Sequence, residues 1–84
     1  MTTTVGREAI EKFVTDALAG LGVDREAITP GAMLDDLEVD SLDLLELCQS
    51  IKLELGIPVR PKDFDGLESI AEVLELCARK DGTA

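Results

Sequence analysis

The sequence predicts an all-α protein, a small bundle of helices, on three observations. Hydrophobic residues make up 45% of the 84 positions, yet aromatics make up only 2%, namely Phe13 and Phe64. The core must therefore be built from Leu, Ile, Val and Ala. Three stretches repeat their apolar residues at helical spacing. Between them stand breakers: Gly20 and Gly22, Thr29-Pro30-Gly31, and Gly56-Ile57-Pro58. A chain this long makes one small domain, residues 1–84, and not two.

The first predicted helix spans about Val5 to Ala19. Ile10, Phe13, Val14, Ala17, Leu18 and Leu21 share one side, and Glu8, Glu11, Lys12 and Thr15 take the other. Residues 22–40 form a long connection in which Ile28, Met33, Leu34, Leu37 and Val39 are interspersed with acids. A connection of that length needs a function or its own packing, and these apolar residues predict packing across the bundle. The second helix runs from about Ser41 to Leu55. Leu44, Leu45, Leu47, Cys48, Ile51 and Leu55 lie on its core face, with Leu42, Glu46, Gln49 and Leu53 opposite. Residues 60–66 suffice for one turn, anchored by Phe64. The last helix covers about Leu67 to Arg79, with Leu67, Ile70, Ala71, Val73, Leu74 and Cys77 inward. Ser69 with Glu72 forms a candidate capping box that would shorten it. Residues 80–84 read as a frayed tail.

Charge narrows the function classes. The formal net charge is −10, which opposes nucleic-acid phosphates and anionic lipid. It favours basic protein partners. The acids are not spread evenly: between Arg25 and Lys52 there is no Lys or Arg, while Glu26, Asp35, Asp36, Glu38, Asp40, Asp43 and Glu46 fall there. No apolar run approaches the ~20 residues of a membrane span. Met1-Thr2-Thr3-Thr4 has neither the basic nor the apolar part of a signal peptide, so the expected setting is the cytoplasm. With no histidine and no Cys-x-x-Cys pair, a zinc site is not expected. Cys48 and Cys77 fall on apolar faces and read as buried free thiols.

The most informative segment is Asp36-Leu37-Glu38-Val39-Asp40-Ser41-Leu42-Asp43-Leu44-Leu45-Glu46. It places Ser41 where a loop enters an apolar helix. Unpaired N–H groups and the helix dipole favour an added anion there. Taken alone, such a serine is ordinarily an N-cap. Serine catalysis needs a base, usually histidine, and this chain has none. Asp40 and Asp43 sit in an open helix start unsuited to a glycosidase pair. An EF-hand loop begun at Asp36 would need glycine and glutamate where Ser41 and Leu47 stand.

The wider pattern resembles the acyl carrier protein family. It extends from the serine segment through Gly56-Ile57-Pro58 and Asp63-Phe64 to the final amphipathic helix, nearly the whole chain. The resemblance implies a right-handed four-helix bundle with three main helices, one short helix and a long first loop. It implies that Ser41 carries covalent 4′-phosphopantetheine, moved from coenzyme A by a separate phosphopantetheinyl transferase. It implies fatty-acyl or polyketide cargo held as a thioester, transport and presentation rather than catalysis, and a monomer that visits loading and ketosynthase-type enzymes with basic docking patches. Candidate partner-binding residues are Asp40, Leu42, Asp43, Glu46, Gln49 and Leu53. Candidate acyl-cavity residues are Leu44, Leu45, Cys48 and Ile51. Many family members have glycine where Glu38 stands, and more acids where Lys52 and Leu53 stand. Asp40 before Ser41 is more similar to acyl than to peptidyl carriers. An aminoacyl carrier, or an unmodified helical interaction module, are the alternatives.

Overall fold

A computed structural model describes residues 5–82. Three α-helices carry the fold: α1 (Arg7–Gly20), α2 (Ser41–Ser50) and α3 (Ile70–Asp81). Short 3₁₀ turns occur at Arg25–Ala27 and Pro61–Phe64, and a π turn, Ile51–Leu55, prolongs α2. The described residues contain no strand, only one isolated antiparallel bridge between Met33 and Ser69. The all-α expectation is met, and the segment expected as one turn is the 3₁₀ turn at Pro61–Phe64. The first four residues, on which the signal-peptide expectation rested, lie outside the described residues, as do residues 83 and 84. No helix among the described residues is long and apolar enough to cross a membrane.

Helices α2 and α3 both pack on α1, and the turn at Pro61–Phe64 rests on α2. Ile10, Val14 and Leu18 of α1 are fully buried; Leu47, Cys48 and Ile51 from α2 and its π turn meet them, with Val73 and Cys77 from α3. The loops add Leu34, Val39, Ile57, Val59 and Phe64. Each such aliphatic side chain contributes roughly 1.5–3 kcal/mol by leaving water. Among the described residues no charged or polar side chain is buried, so the core is apolar.

The long connection is packed across the bundle through Leu34 and Val39, with Ile28 and Leu37 partly buried, but Met33, expected to pack, is 40% exposed; the connection is also stitched to the start of α3. Leu34 N–H donates to the Glu68 carbonyl (2.8 Å), Ile70 N–H to the Ala32 carbonyl (2.9 Å) and Ala71 N–H to the Pro30 carbonyl (2.9 Å). Ser69 Oγ accepts from Glu72 N–H (3.3 Å), while Glu72 Oε1 accepts from Ser69 N–H (3.1 Å) and Glu68 N–H (2.8 Å). With Val73 N–H on the Ser69 carbonyl, all four donors of the first turn of α3 are satisfied. This capping box starts α3 at Ile70, so Leu67 lies before the helix and not in it.

Three other expectations are corrected. Ala71 is exposed, because α3 places it in line with Glu75 and Arg79 at helical spacing; Leu76 and Ala78 are buried with the core instead. Leu21 is 37% exposed, past the end of α1. Lys80 and Asp81 are not frayed but close α3, with Gly82 at φ 85° as its left-handed cap. The Asp81 carboxylate accepts Val5 N–H (2.9 Å) and Gly6 N–H (3.1 Å). Gly6, the N-cap of α1, has no capping side chain of its own, so the far end of the chain supplies an anion at that terminus. Asp63, in the 3₁₀ turn, ties that turn to the end of α3 through Lys80. Partial desolvation pushes its carboxyl up, but the Arg60 N–H (3.0 Å) and guanidinium, with Lys80 at 3.5 Å, outweigh that and hold it below the usual range.

Candidate functional site

Ser41 is the first residue of α2, and the residue before it does the capping. Asp43 N–H donates to Asp40 Oδ1 (2.9 Å) and Asp40 N–H to Asp43 Oδ2 (3.4 Å). Ser41 is therefore not the N-cap that a serine in this place ordinarily is. An aspartate takes that role because its carboxylate reaches the donor three residues on and favours the positive end of the helix dipole. The Ser41 side chain is exposed and makes no hydrogen bond among the described residues. The contrast with Ser69 is chemical: that hydroxyl is held by Glu72 N–H. Ser50, the third serine, ends α2 half-buried.

The first turn of α2 also differs from that of α3. Leu44 N–H bonds the Asp40 carbonyl and Asp43 N–H is capped, but Ser41 and Leu42 N–H find no acceptor in the helix or the flanking loop. Two open donors beside a free hydroxyl suit an anionic ester at that oxygen. Around them Asp35, Asp36, Glu38, Asp40 and Glu46 are exposed and Asp43 is half-buried.

Glu38 has φ 59°. It is the single non-glycine residue with a left-handed backbone among those described, at the turn where Leu37 N–H and Val39 N–H both reach the Leu34 carbonyl. That turn aims the chain into Asp40 and Ser41. The glycine frequent at this place in the resembling family is thereby explained: a residue without a Cβ adopts this φ freely.

A cleft of about 250 Å³ opens beside the Ser41 hydroxyl, lined by Ser41, Leu44 and Leu45 on one side and Pro61, Phe64 and Asp65 on the other. Of the four expected cavity residues, Leu44 and Leu45 line it. Leu45 is 36% exposed rather than a core residue, because it stands one turn from Ser41 and faces the same opening. Cys48 and Ile51 are buried in the core further along the helix and do not line it. Pro61, Phe64 and Asp65 were not expected in the site, and only Phe64 carried a signal, as the anchor of its turn.

Leu42 is 64% exposed and Leu53 is 82% exposed. Glu46 and Gln49 are exposed between them. The outward stripe exists as the periodicity predicts, and its distal end falls in the π turn. Both cysteines are buried free thiols, as their apolar faces predict. Burial, then Cys48 nearby, then Asp81, push the Cys77 thiol up to about 12. Burial and Asp63 raise Cys48 despite Lys52.

Residues 12–77 match the family described as the phosphopantetheine attachment site. The chain is 37% identical over 71 residues to an acyl carrier protein of Saccharopolyspora erythraea, covering 83% of this chain and 75% of that one. It is 32% identical over 73 residues to an acyl carrier protein of Syntrophobacter fumaroxidans, covering 84% and 90%. These matches imply covalently attached 4′-phosphopantetheine as the prosthetic group. The residues fit it: an unbonded exposed hydroxyl, two open donors for the phosphate, and a cleft that begins at the hydroxyl itself.

Proposed function

This chain belongs to the acyl carrier protein family, and on that premise we propose that it carries fatty-acyl or polyketide intermediates on Ser41. It presents them to partner enzymes and performs no catalysis of its own. When bound, the prosthetic group supplies a terminal thiol that holds an acyl chain as a thioester. The observation that carries this reading is the free Ser41 hydroxyl in the first turn of α2, left unbonded by the reciprocal cap of Asp40 and Asp43.

The chain's own residues divide the work. Ser41 Oγ is the tether. With no histidine in the chain, the base that takes the Ser41 proton belongs to the transferase. Asp40, Asp43 and Glu46 offer charge to basic partner surfaces, while Leu42, Gln49 and Leu53 supply the contact area beside it. A cleft of about 250 Å³ is smaller than the ~300–1,000 Å³ of sites that enclose drug-sized ligands. A long cargo chain reaching toward Cys48 and Ile51 must therefore part α2 from the turn at Pro61–Phe64, which then serves as the short fourth helix of the bundle. The protein works as one carrier domain, a monomer, in the cytoplasm.

The test is intact mass after incubation with coenzyme A and a broad-specificity transferase. Wild type gains one arm, and Ser41→Ala gains none while remaining folded. Modification that persists in Ser41→Ala overturns the assignment.

A further inference from the structure

We infer that the Asp65–Gly66 step is a site of spontaneous backbone isomerisation, which turns Asp65 into isoaspartate, while the fold shields the other Asp–Gly step, Asp81–Gly82. The chemistry needs an aspartate whose side chain the next amide nitrogen can reach. Glycine hinders that approach least, because it has no Cβ. The chain has these two pairs, and the structure holds them differently.

Asp65 and Gly66 are both exposed. The Asp65 carboxylate has no hydrogen bond or ion pair among the described residues, and the peptide group joining Asp65 to Gly66 is unbonded at both its N–H and its carbonyl. Asp65 at φ −63°, ψ 130° and Gly66 at φ 84° fit the middle of a type II turn, closed by Leu67 N–H on the Phe64 carbonyl (3.2 Å). At that ψ the Gly66 nitrogen is turned away from the Asp65 side chain, so the peptide must rotate first. Rotation toward a type I turn keeps the closing bond, and glycine accepts both forms. The other pair is tied down. The Asp81 carboxylate accepts Val5 N–H and Gly6 N–H, and Gly82 N–H donates to the Arg79 carbonyl (3.2 Å). Asp40–Ser41 is a slower pair of the same kind, since serine has a Cβ, and Asp43 N–H holds the Asp40 carboxylate (2.9 Å).

The step needs no reagent but water. The Gly66 nitrogen attacks Cγ of Asp65 in its carboxylic acid form. An N–Cγ bond forms, a Cγ–O bond breaks, and the nitrogen's proton leaves with that oxygen as water. Water then opens the cyclic imide. Addition at Cγ restores aspartate; addition at the main-chain carbonyl breaks its bond to nitrogen and leaves the chain running through Cβ and Cγ. The main chain thereby gains a methylene just after Phe64, which lines the same cleft as Ser41. Isomerisation itself is independent of the carrier reading; only its consequence, slower loading of Ser41, rests on that reading.

The experiment ages folded apo protein in warm, mildly acidic buffer, beside wild type unfolded in urea and the variant Asp65→Glu, whose longer side chain closes such a ring poorly. Peptide mapping with electron-based fragmentation locates isoaspartate. An isoaspartyl carboxyl methyltransferase with S-adenosylmethionine counts it. In folded wild type, isoaspartate should build up several-fold faster at position 65 than at 81, and urea should bring the two close together. Asp65→Glu should lose most of the methyl acceptance. The isomerised form, separated by chromatography, should take the arm from coenzyme A several-fold more slowly than unaged protein. No isoaspartate at 65, or as much at 81 as at 65 in folded protein, overturns the site. Isomers that load equally fast overturn the link to Ser41 and leave the carrier reading intact. Unaged protein that gains no arm overturns that reading and leaves the isomerisation site standing.

Discussion

Asp40 and Asp43 cap each other across the first turn of α2, each carboxylate accepting the other residue's backbone N–H. Two like charges so close would ordinarily repel. Here both lie at the positive end of a helix and each meets a donor, so the arrangement is favourable. Its consequence is that Ser41, between them, has no structural task.

Capping and tethering should therefore separate by mutation. Asp40→Ala should lower the unfolding free energy by about 1 kcal/mol, the usual loss for an N-cap. Ser41→Ala should stay within ~0.5 kcal/mol of wild type while abolishing attachment of the arm. Urea unfolding measures the first pair of values and intact mass the last. If Ser41→Ala costs as much as Asp40→Ala, the serine is a cap after all.

The left-handed backbone at Glu38, φ 59°, gives a stabilising substitution. That conformation costs an ordinary L residue about 1–2 kcal/mol, part of which glycine forfeits again in chain entropy. Glu38→Gly should gain about 0.5–1 kcal/mol. Glu38→Val, with its branched Cβ, should lose about 1 kcal/mol or more. Glu38→Gln removes the charge but keeps the Cβ, and should leave stability nearly unchanged. A gain in Glu38→Gln equal to that in Glu38→Gly would assign the effect to charge.

Partner docking can be resolved along the stripe of α2. Glu46→Lys should slow loading by the transferase several-fold, with the deficit shrinking as salt rises, since a charge at an interface rim acts mainly on association and is screened. Leu53, 82% exposed, would act by burial, so Leu53→Ser should weaken loading with little salt dependence. Leu53→Glu should shift preference toward partners of ordinary fatty-acid carriers. Loading rates at low and high salt test all three. Equal rates throughout would show a merely solvated face.

Alkaline pH should expose the buried thiol of α3. Cys77 is raised to about 12 by burial first, with Cys48 and Asp81 adding to it, whereas an unfolded thiol titrates near ~8.5. Between these values the unfolded chain has released its proton and the folded one has not. The contribution is full below the unfolded pKa, and stability then falls by up to about 1.4 kcal/mol per pH unit until the folded pKa is reached. Urea unfolding between neutral pH and pH ~10.5 should show this slope. Cys77→Ala, though less stable at neutral pH, should show a shallower one. The same slope in both proteins would place the titration elsewhere.

Much of this protein is legible in its sequence. The 3.6-residue period located three helices and their buried faces, because an amphipathic helix has one stable way to hide its apolar stripe. The exposed stripe of Leu42 and Leu53 followed from the same spacing, whereas Ser41 and its acidic surroundings stood out through the Asp36–Glu46 segment and its resemblance to a known family. Tertiary structure decided what spacing leaves degenerate. Ala71 and Leu45 read as core residues, yet one lines up with Glu75 and the other faces the cleft, because burial depends on which neighbour covers a helix face. The left-handed turn at Glu38 arises from two N–H groups converging on the Leu34 carbonyl. The cleft wall of Pro61, Phe64 and Asp65 lies about twenty residues beyond Ser41; only the packing of the 3₁₀ turn on α2 brings it to that serine. Local sequence sets the period and chemistry of each element. Contacts between distant elements depend on how those elements pack, and that is where the free hydroxyl acquired its cleft.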